Sequence, residues 1–193
     1  MSFIFFKATA IQIIKGSPEM ELPPGYRLTI WKPSLCSVYP RKLGPVYGRR
    51  VSLIGWWVLQ YLLTRNRTYS RILLIYYEDQ LVHFTMLSPR NLRCPFMGHQ
   101  DAKLGPVWTH ENHRGLGLAT FATRELVKQF IDQTHMYFWW FCKAENKGSM
   151  RVAEKLGFSY SGKGIQRTRL GVRLLRYWFI SEYSESSVTE IEQ

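Results

Sequence analysis

The stretch that decides the reading of this chain is His113-Arg114-Gly115-Leu116-Gly117-Leu118-Ala119-Thr120. A short apolar run, 104–109, leads into it, and an amphipathic helical pattern follows over about 116–133. A strand, a glycine-rich turn and a helix start in immediate succession form a cradle for an anion. Glycine admits backbone conformations that a Cβ forbids and lets a ligand approach the main chain. The first N–H groups of a helix have no intrahelical partner, and the helix dipole favours negative charge there. The stretch is therefore expected to hold a phosphate or pyrophosphate on main-chain N–H groups.

Working outward, 71–77 and 81–87 are β-prone runs separated by Glu78-Asp79-Gln80, which predicts a hairpin. A loop over 88–100 precedes the short strand 102–109. The helix after the cradle is expected to bury Ala119, Ala122, Leu126, Val127 and Phe130, and to expose Arg124, Glu125, Lys128, Gln129 and Asp132. The aromatic run 136–143 is too short to cross a membrane and suits a strand covered on both faces. A second helix is expected over 147–156, with Gly157 as its stop. Closing strands are expected at 158–161 and 171–181. Before the hairpin, 26–32 reads as a strand and 33–48 as irregular. An apolar stripe of Ile54, Trp57, Val58, Tyr61 and Leu62 reads as a helix over 51–65. The organisation expected is a strand-like N-terminal arm, 1–25, one domain over 26–181, and an acidic tail, 182–193.

Composition narrows the function classes. A length of 193 residues with 46% hydrophobic content supports one domain with a substantial core. A net charge of +12 points to an anionic partner. The basic residues are spread from Arg41 to Arg176 rather than run together, which favours a charged pocket over a nucleic-acid tail. Three separated cysteines, Cys36, Cys94 and Cys142, show neither metal-ligand spacing nor a disulfide framework, so no metal and a cytoplasmic setting are expected. No run of about 20 apolar residues marks a membrane span. A homodimer is compatible with all of this.

Known glycine-rich fingerprints fit poorly. A dinucleotide-binding turn would need a third glycine at position 120, where Thr120 stands, and would not follow a hairpin. No Gly-Lys-Ser/Thr triplet exists for a P-loop. Two separated motifs together are more specific. Arg114-Gly115-Leu116-Gly117-Leu118-Ala119 follows the pattern Arg/Gln-x-x-Gly-x-Gly/Ala. After the next strand comes Asn146-Lys147-Gly148-Ser149-Met150-Arg151-Val152-Ala153-Glu154-Lys155-Leu156-Gly157-Phe158. The pair resembles motifs A and B of the GNAT superfamily of N-acetyltransferases, over about 71–158. The second motif is most similar to the ribosomal-protein N-terminal acetyltransferase branch and is shared with amino-sugar acetyltransferases.

The resemblance implies an α+β fold: a mixed, mostly antiparallel sheet of six or seven strands flanked by helices, splayed between two central parallel strands, here 104–109 and 136–143. It implies acetyl-CoA as co-substrate, with its pyrophosphate on the N–H groups of Arg114, Gly115, Leu116, Gly117, Leu118 and Ala119, and with Thr120 near. Strand N–H groups at about Val107 to Thr109 would pair with pantetheine and supply the oxyanion donor, and Asn146 would bind the cofactor arm. Many members carry a Tyr where Ala153 stands. Ser149 is the substitute general acid that the resemblance implies, and it is expected among the cofactor-binding residues with Asn146. For the base, the positions used by other members hold Lys103, Gly105 and Pro106, so His83 and Tyr160 are candidates by residue type and loss of the proton to solvent is the default. The acceptor would be a primary amine, on a small molecule such as an amino sugar or its nucleotide conjugate, or on a protein N-terminus. A non-catalytic acyl-CoA-binding module is the alternative from another class.

Overall fold

The computed structural model describes residues 1–34, 70–169 and 172–184, with the backbone alone at 172–175. The expected helix 51–65, nearly all of the irregular segment 33–48 and most of the acidic tail lie outside the described residues. The described chain is α+β, with eight strands against the six or seven expected. It forms two compact units.

The first unit comprises 1–18, 90–103 and 130–193. Its strands β1 (Ser2–Thr9), β6 (Tyr137–Lys143), β7 (Ser159–Arg169) and β8 (Val172–Tyr183) are neighbours in the order β6-β1-β7-β8. β1 pairs antiparallel with both β6 and β7, with Phe5 opposite Phe141 and Gly162. Helix α1 (Ala10–Gly16) follows β1 directly through a capping box. Thr9 accepts from Gln12 N, and the Gln12 side chain accepts from Thr9 N. The strand-like reading of 1–14 therefore holds to Thr9, and the reciprocal cap turns the rest into a helix.

β7 runs well beyond the expected stop at Ser161. Gly162 and Gly164 look like strand breakers, yet at each a Cβ would collide with a β8 carbonyl, of Glu182 and of Phe179. Here glycine permits close backbone approach at an irregular register instead of ending the strand. Phe5, Cys94, Met97, Trp139 and Ile180 form one core, with Phe3, Phe96, Phe141 and Trp178 packed on it. Buried Asp101 pins the 90–101 loop to β6: its carboxylate accepts from Trp139 Nε1 at 2.7 Å, Gly98 N at 2.7 Å and Tyr137 N at 3.2 Å.

The second unit comprises 19–89 and 104–129. It holds β2 (Tyr26–Trp31), β3 (Arg71–Tyr77), β4 (Gln80–Pro89) and most of β5 (Ala102–Thr109), neighbours in that order. The β3–β4 hairpin is as expected. Its two turn residues, Glu78 and Asp79, both have positive φ, 46° and 64°, which matches the right-handed twist of the strands. Arg27 forms an ion pair with Asp79 across this end. Ile72, Leu74, Phe84 and Met86 make the core, backed by Trp31 and Trp108.

Candidate active site

In the second unit β5 contains a cis peptide between Gly105 and Pro106. Pro106 has no N–H, so Val107 supplies the first main-chain donor of the strand's second half. Val107 and Thr109 are half-buried. A 3-10 turn, Glu111–His113, follows, then Arg114 in extended conformation. Gly115 and Gly117 both take left-handed backbone, φ 84° and 75°, where a side chain would cost about 1–2 kcal/mol.

Helix α2 (Leu118–Lys128) starts at Gly117. The sequence pattern placed its start at Leu116, but the left-handed Gly117 delays it by two residues. The helix also ends five residues early, at Lys128. No side chain caps its N-terminus and no acid lies in its first turn. The N–H groups of Leu118, Ala119 and Thr120 are thus left without intrahelical partners. A Cβ at Gly115 would meet nothing within 4 Å, so this side of the turn is open. At Gly117 a Cβ would strike the Met20 side chain. Thr120 and Leu118 are buried, so what they offer a ligand is main chain rather than side chain.

Two bonds brace the strand that enters this turn. The Arg114 Nε donates to Thr109 O at 3.2 Å, and its guanidinium is otherwise exposed. The Thr109 hydroxyl lies 2.8 Å from His83 Nδ1, while His83 Nε2 lies 2.8 Å from Thr85 Oγ1. His83 is fully buried, and burial pushes its pKa down to about 3. It is a neutral ring held between two hydroxyls, far from the profile of a proton acceptor working near neutral pH. Arg124, expected on the exposed face of α2, is 8% exposed, with Glu19 at 3.9 Å. Glu19 and Met20 come from outside the helix to stand near Arg124 and Gly117, which periodicity within the helix cannot reveal.

In the first unit, Asn146 caps helix α3 (Lys147–Lys155), its Oδ1 accepting from Ser149 N at 3.0 Å. The Ser149 hydroxyl accepts from Trp140 Nε1 at 2.9 Å and also touches Cys142, whose thiol burial pushes up against the opposing pull of that bond. Ser149 is half-buried and Asn146 exposed. Gly157 ends the helix as expected. Its φ is 73°, Phe158 N donates to Ala153 O and Gly157 N to Glu154 O, the pattern of a Schellman stop. Ala153, in the place of the usual Tyr, is fully buried. Lys103, passed over in the sequence, has its ammonium over the rings of Phe141 and Trp178, 5.3 and 5.4 Å from their centroids. Burial lowers its pKa, whereas the ring faces favour the charged form.

The family model for the acetyltransferase (GNAT) family matches residues 35–158, more than half of the chain. The chain belongs to the GNAT family. Among solved structures, a tandem GNAT protein from the clavulanic acid biosynthesis pathway is similar, at 17% identity and a TM-score of 0.56, over 82% of this chain and 50% of that one. A GNAT-type N-acetyltransferase from Sphaerobacter thermophilus aligns at 16% identity and a TM-score of 0.56, over 84% and 49%. An acetyltransferase from Novosphingobium aromaticivorans aligns at 16% identity and a TM-score of 0.51, over 84% and 61%. At these identities the likeness is one of fold. The chain spans about half the length of the first of these structures. No curated protein sequence matches it. Among the described residues no helix is long and apolar enough to cross a membrane.

Proposed function

We propose that this GNAT chain transfers an acetyl group from acetyl-CoA to a primary amine by direct attack. The reading is carried by one observation: two left-handed glycines ahead of an uncapped, acid-free helix start, with open space beside Gly115. Such a turn presents main-chain donors and a positive dipole end to a pyrophosphate. The N–H groups from Arg114 to Ala119 hold that group, and the Arg114 guanidinium adds charge. Val107 to Thr109 offer strand N–H groups to the pantetheine and to the oxyanion. Asn146 keeps its amide N–H groups free for the cofactor arm, because its oxygen is already used by Ser149 N.

The neutral amine attacks the thioester carbonyl, the C–S bond breaks, and Ser149 delivers a proton to the departing thiolate. The indole N–H of Trp140 donates to the Ser149 oxygen, and the hydroxyl hydrogen, directed at rest to the Cys142 sulfur, turns to the thiolate. The ammonium proton of the acceptor goes to solvent. The basic, aromatic-rich composition favours an anionic, ring-bearing acceptor, an amino sugar or its nucleotide conjugate. Ala153 in place of Tyr is the observation that favours a second reading, an acyl-CoA-binding module without turnover.

Calorimetry with acetyl-CoA, followed by thiol release against amino sugars, nucleotide-linked amino sugars and short peptides, tests both. Thiol release with a sugar amine supports the reading. Release with peptides alone moves the acceptor to a protein N-terminus. Binding without release on any amine leaves the binding module, and absence of acetyl-CoA binding overturns the site.

A further inference from the structure

The β7–β8 hairpin carries a basic, aromatic surface. From Ser159 to Ser181 the sequence has five basic residues and no acid. The Arg167 guanidinium lies over the Phe179 ring, 4.5 Å from its centroid, and the Arg169 guanidinium over Tyr177, 5.0 Å from its centroid. The register sets Ile165 opposite Phe179 and Arg167 opposite Tyr177. Residues opposite and diagonal across an antiparallel pair share a face, so both arginine–ring pairs stand on one side of the hairpin. On the other side Trp178 packs with Phe3 and Phe141. Arg167, Arg169 and Phe179 are exposed, and neither arginine forms a salt bridge with an acid among the described residues.

A guanidinium lying on a ring is held flat, with its N–H edge turned outward for a bidentate partner. Two such cations stand two residues apart on β7. A compact anion engages one of them, whereas a chain of phosphates engages both. Carboxylates on a peptide would match the charge but would leave the outer faces of the guanidinium planes bare. Bases have a π-face for each of these planes.

We propose that this face of the β7–β8 hairpin binds single-stranded nucleic acid, with Arg167 and Arg169 on successive phosphates and bases stacked on the guanidinium and ring faces. The basic residues look scattered along the sequence and argued there against a nucleic-acid partner. The hairpin sets two of them, Arg167 and Arg169, beside rings of the returning strand on one face.

The test is fluorescence anisotropy of the whole chain with a labelled oligouridylate at several salt concentrations. Binding should weaken with salt. Replacing both Arg167→Ala and Arg169→Ala should reduce the magnitude of the log–log salt slope by about 1.4, at roughly 0.7 per phosphate contact on a single strand. Arg167→Lys with Arg169→Lys should keep the slope yet weaken binding several-fold, and Phe179→Leu should weaken binding at unchanged slope. Acetyl-CoA affinity, read by calorimetry, should stay unchanged in all three, which shows an intact fold and keeps this proposal separate from the acetyl-transfer reading. An unchanged slope in the double alanine variant overturns the proposal. So does polyphosphate competing as well as the oligonucleotide at equal charge.

Discussion

His83 illustrates how one side chain's surroundings decide its use. A lone histidine on a strand is an attractive base by residue type, yet both ring nitrogens are bonded to threonine hydroxyls and the ring is buried. Its role is to hold Thr109 at the end of β5. The folded pKa of about 3 lies below the ordinary value of 6.5, so the unfolded chain binds more protons between the two. The stability this group contributes is therefore complete above about pH 6.5 and is lost as pH falls toward 3, at up to about 1.4 kcal/mol per pH unit. Denaturant unfolding between pH 6 and pH 4 should show a steeper loss in wild type than in His83→Gln; equal slopes would mean that the ring is not held neutral. Ser149 gives the second prediction at this scale. Ser149→Ala should lower kcat on the order of a hundredfold. The KM for acetyl-CoA should hardly move, because the helix cap comes from the Asn146 side chain and the Ser149 main chain. A rise in KM at unchanged kcat would reduce Ser149 to a binding residue.

At the scale of elements, the glycines at 115, 117 and 157 share a left-handed backbone but differ in what surrounds them. Gly115 faces open space, Gly117 lies under Met20, and a Cβ at Gly157 would come within 3.0 Å of Gln12 O and 3.2 Å of Gly16 Cα. Gly157→Ala should cost the backbone strain of about 1–2 kcal/mol plus the displacement of α1, read as a loss of Tm in thermal melts. A melting temperature within a degree of wild type would refute the close approach. Gly115→Ala should leave a folded chain while reducing acetyl-CoA affinity at least tenfold by calorimetry, since the added Cβ meets no atom of the described residues within 4 Å and would enter the proposed pyrophosphate position. It is a cleaner probe of the cradle than any change at Gly117, where a collision with Met20 confounds the result. The hairpin 71–89 and the α3 stop were legible because φ-positive turns and helix stops are set by a few adjacent residues. The length of β7 was not, because what Gly162 and Gly164 do depends on carbonyls of β8.

For the whole molecule, the N-terminal strand matters most. β1 lies between β6 and β7 and buries Phe5, Phe6 and Ala8, at about 1.5–3 kcal/mol for each large apolar side chain. Removing residues 1–9 leaves two strands without a shared partner, so the truncated chain should lose its cooperative thermal transition by circular dichroism; a soluble truncation that melts cooperatively would show β1 to be dispensable. The sequence by itself determined the glycine turn, the helix after it, the hairpin and the two motifs that resemble the GNAT superfamily. Glycine backbone freedom, capping and alternation act within a few residues, so each leaves a local mark. Only the tertiary structure decided that the arm fills the middle of a sheet, that Arg124 is covered, that His83 is locked to Thr109 and that Arg167 and Arg169 lie on aromatic rings. Each of these depends on partners brought from distant positions, and pairing across such separations leaves no periodicity in the strand or helix that carries the residue. The glycine turn at 114–119 is set by its own residues, whereas the part each surrounding side chain plays is set by the fold.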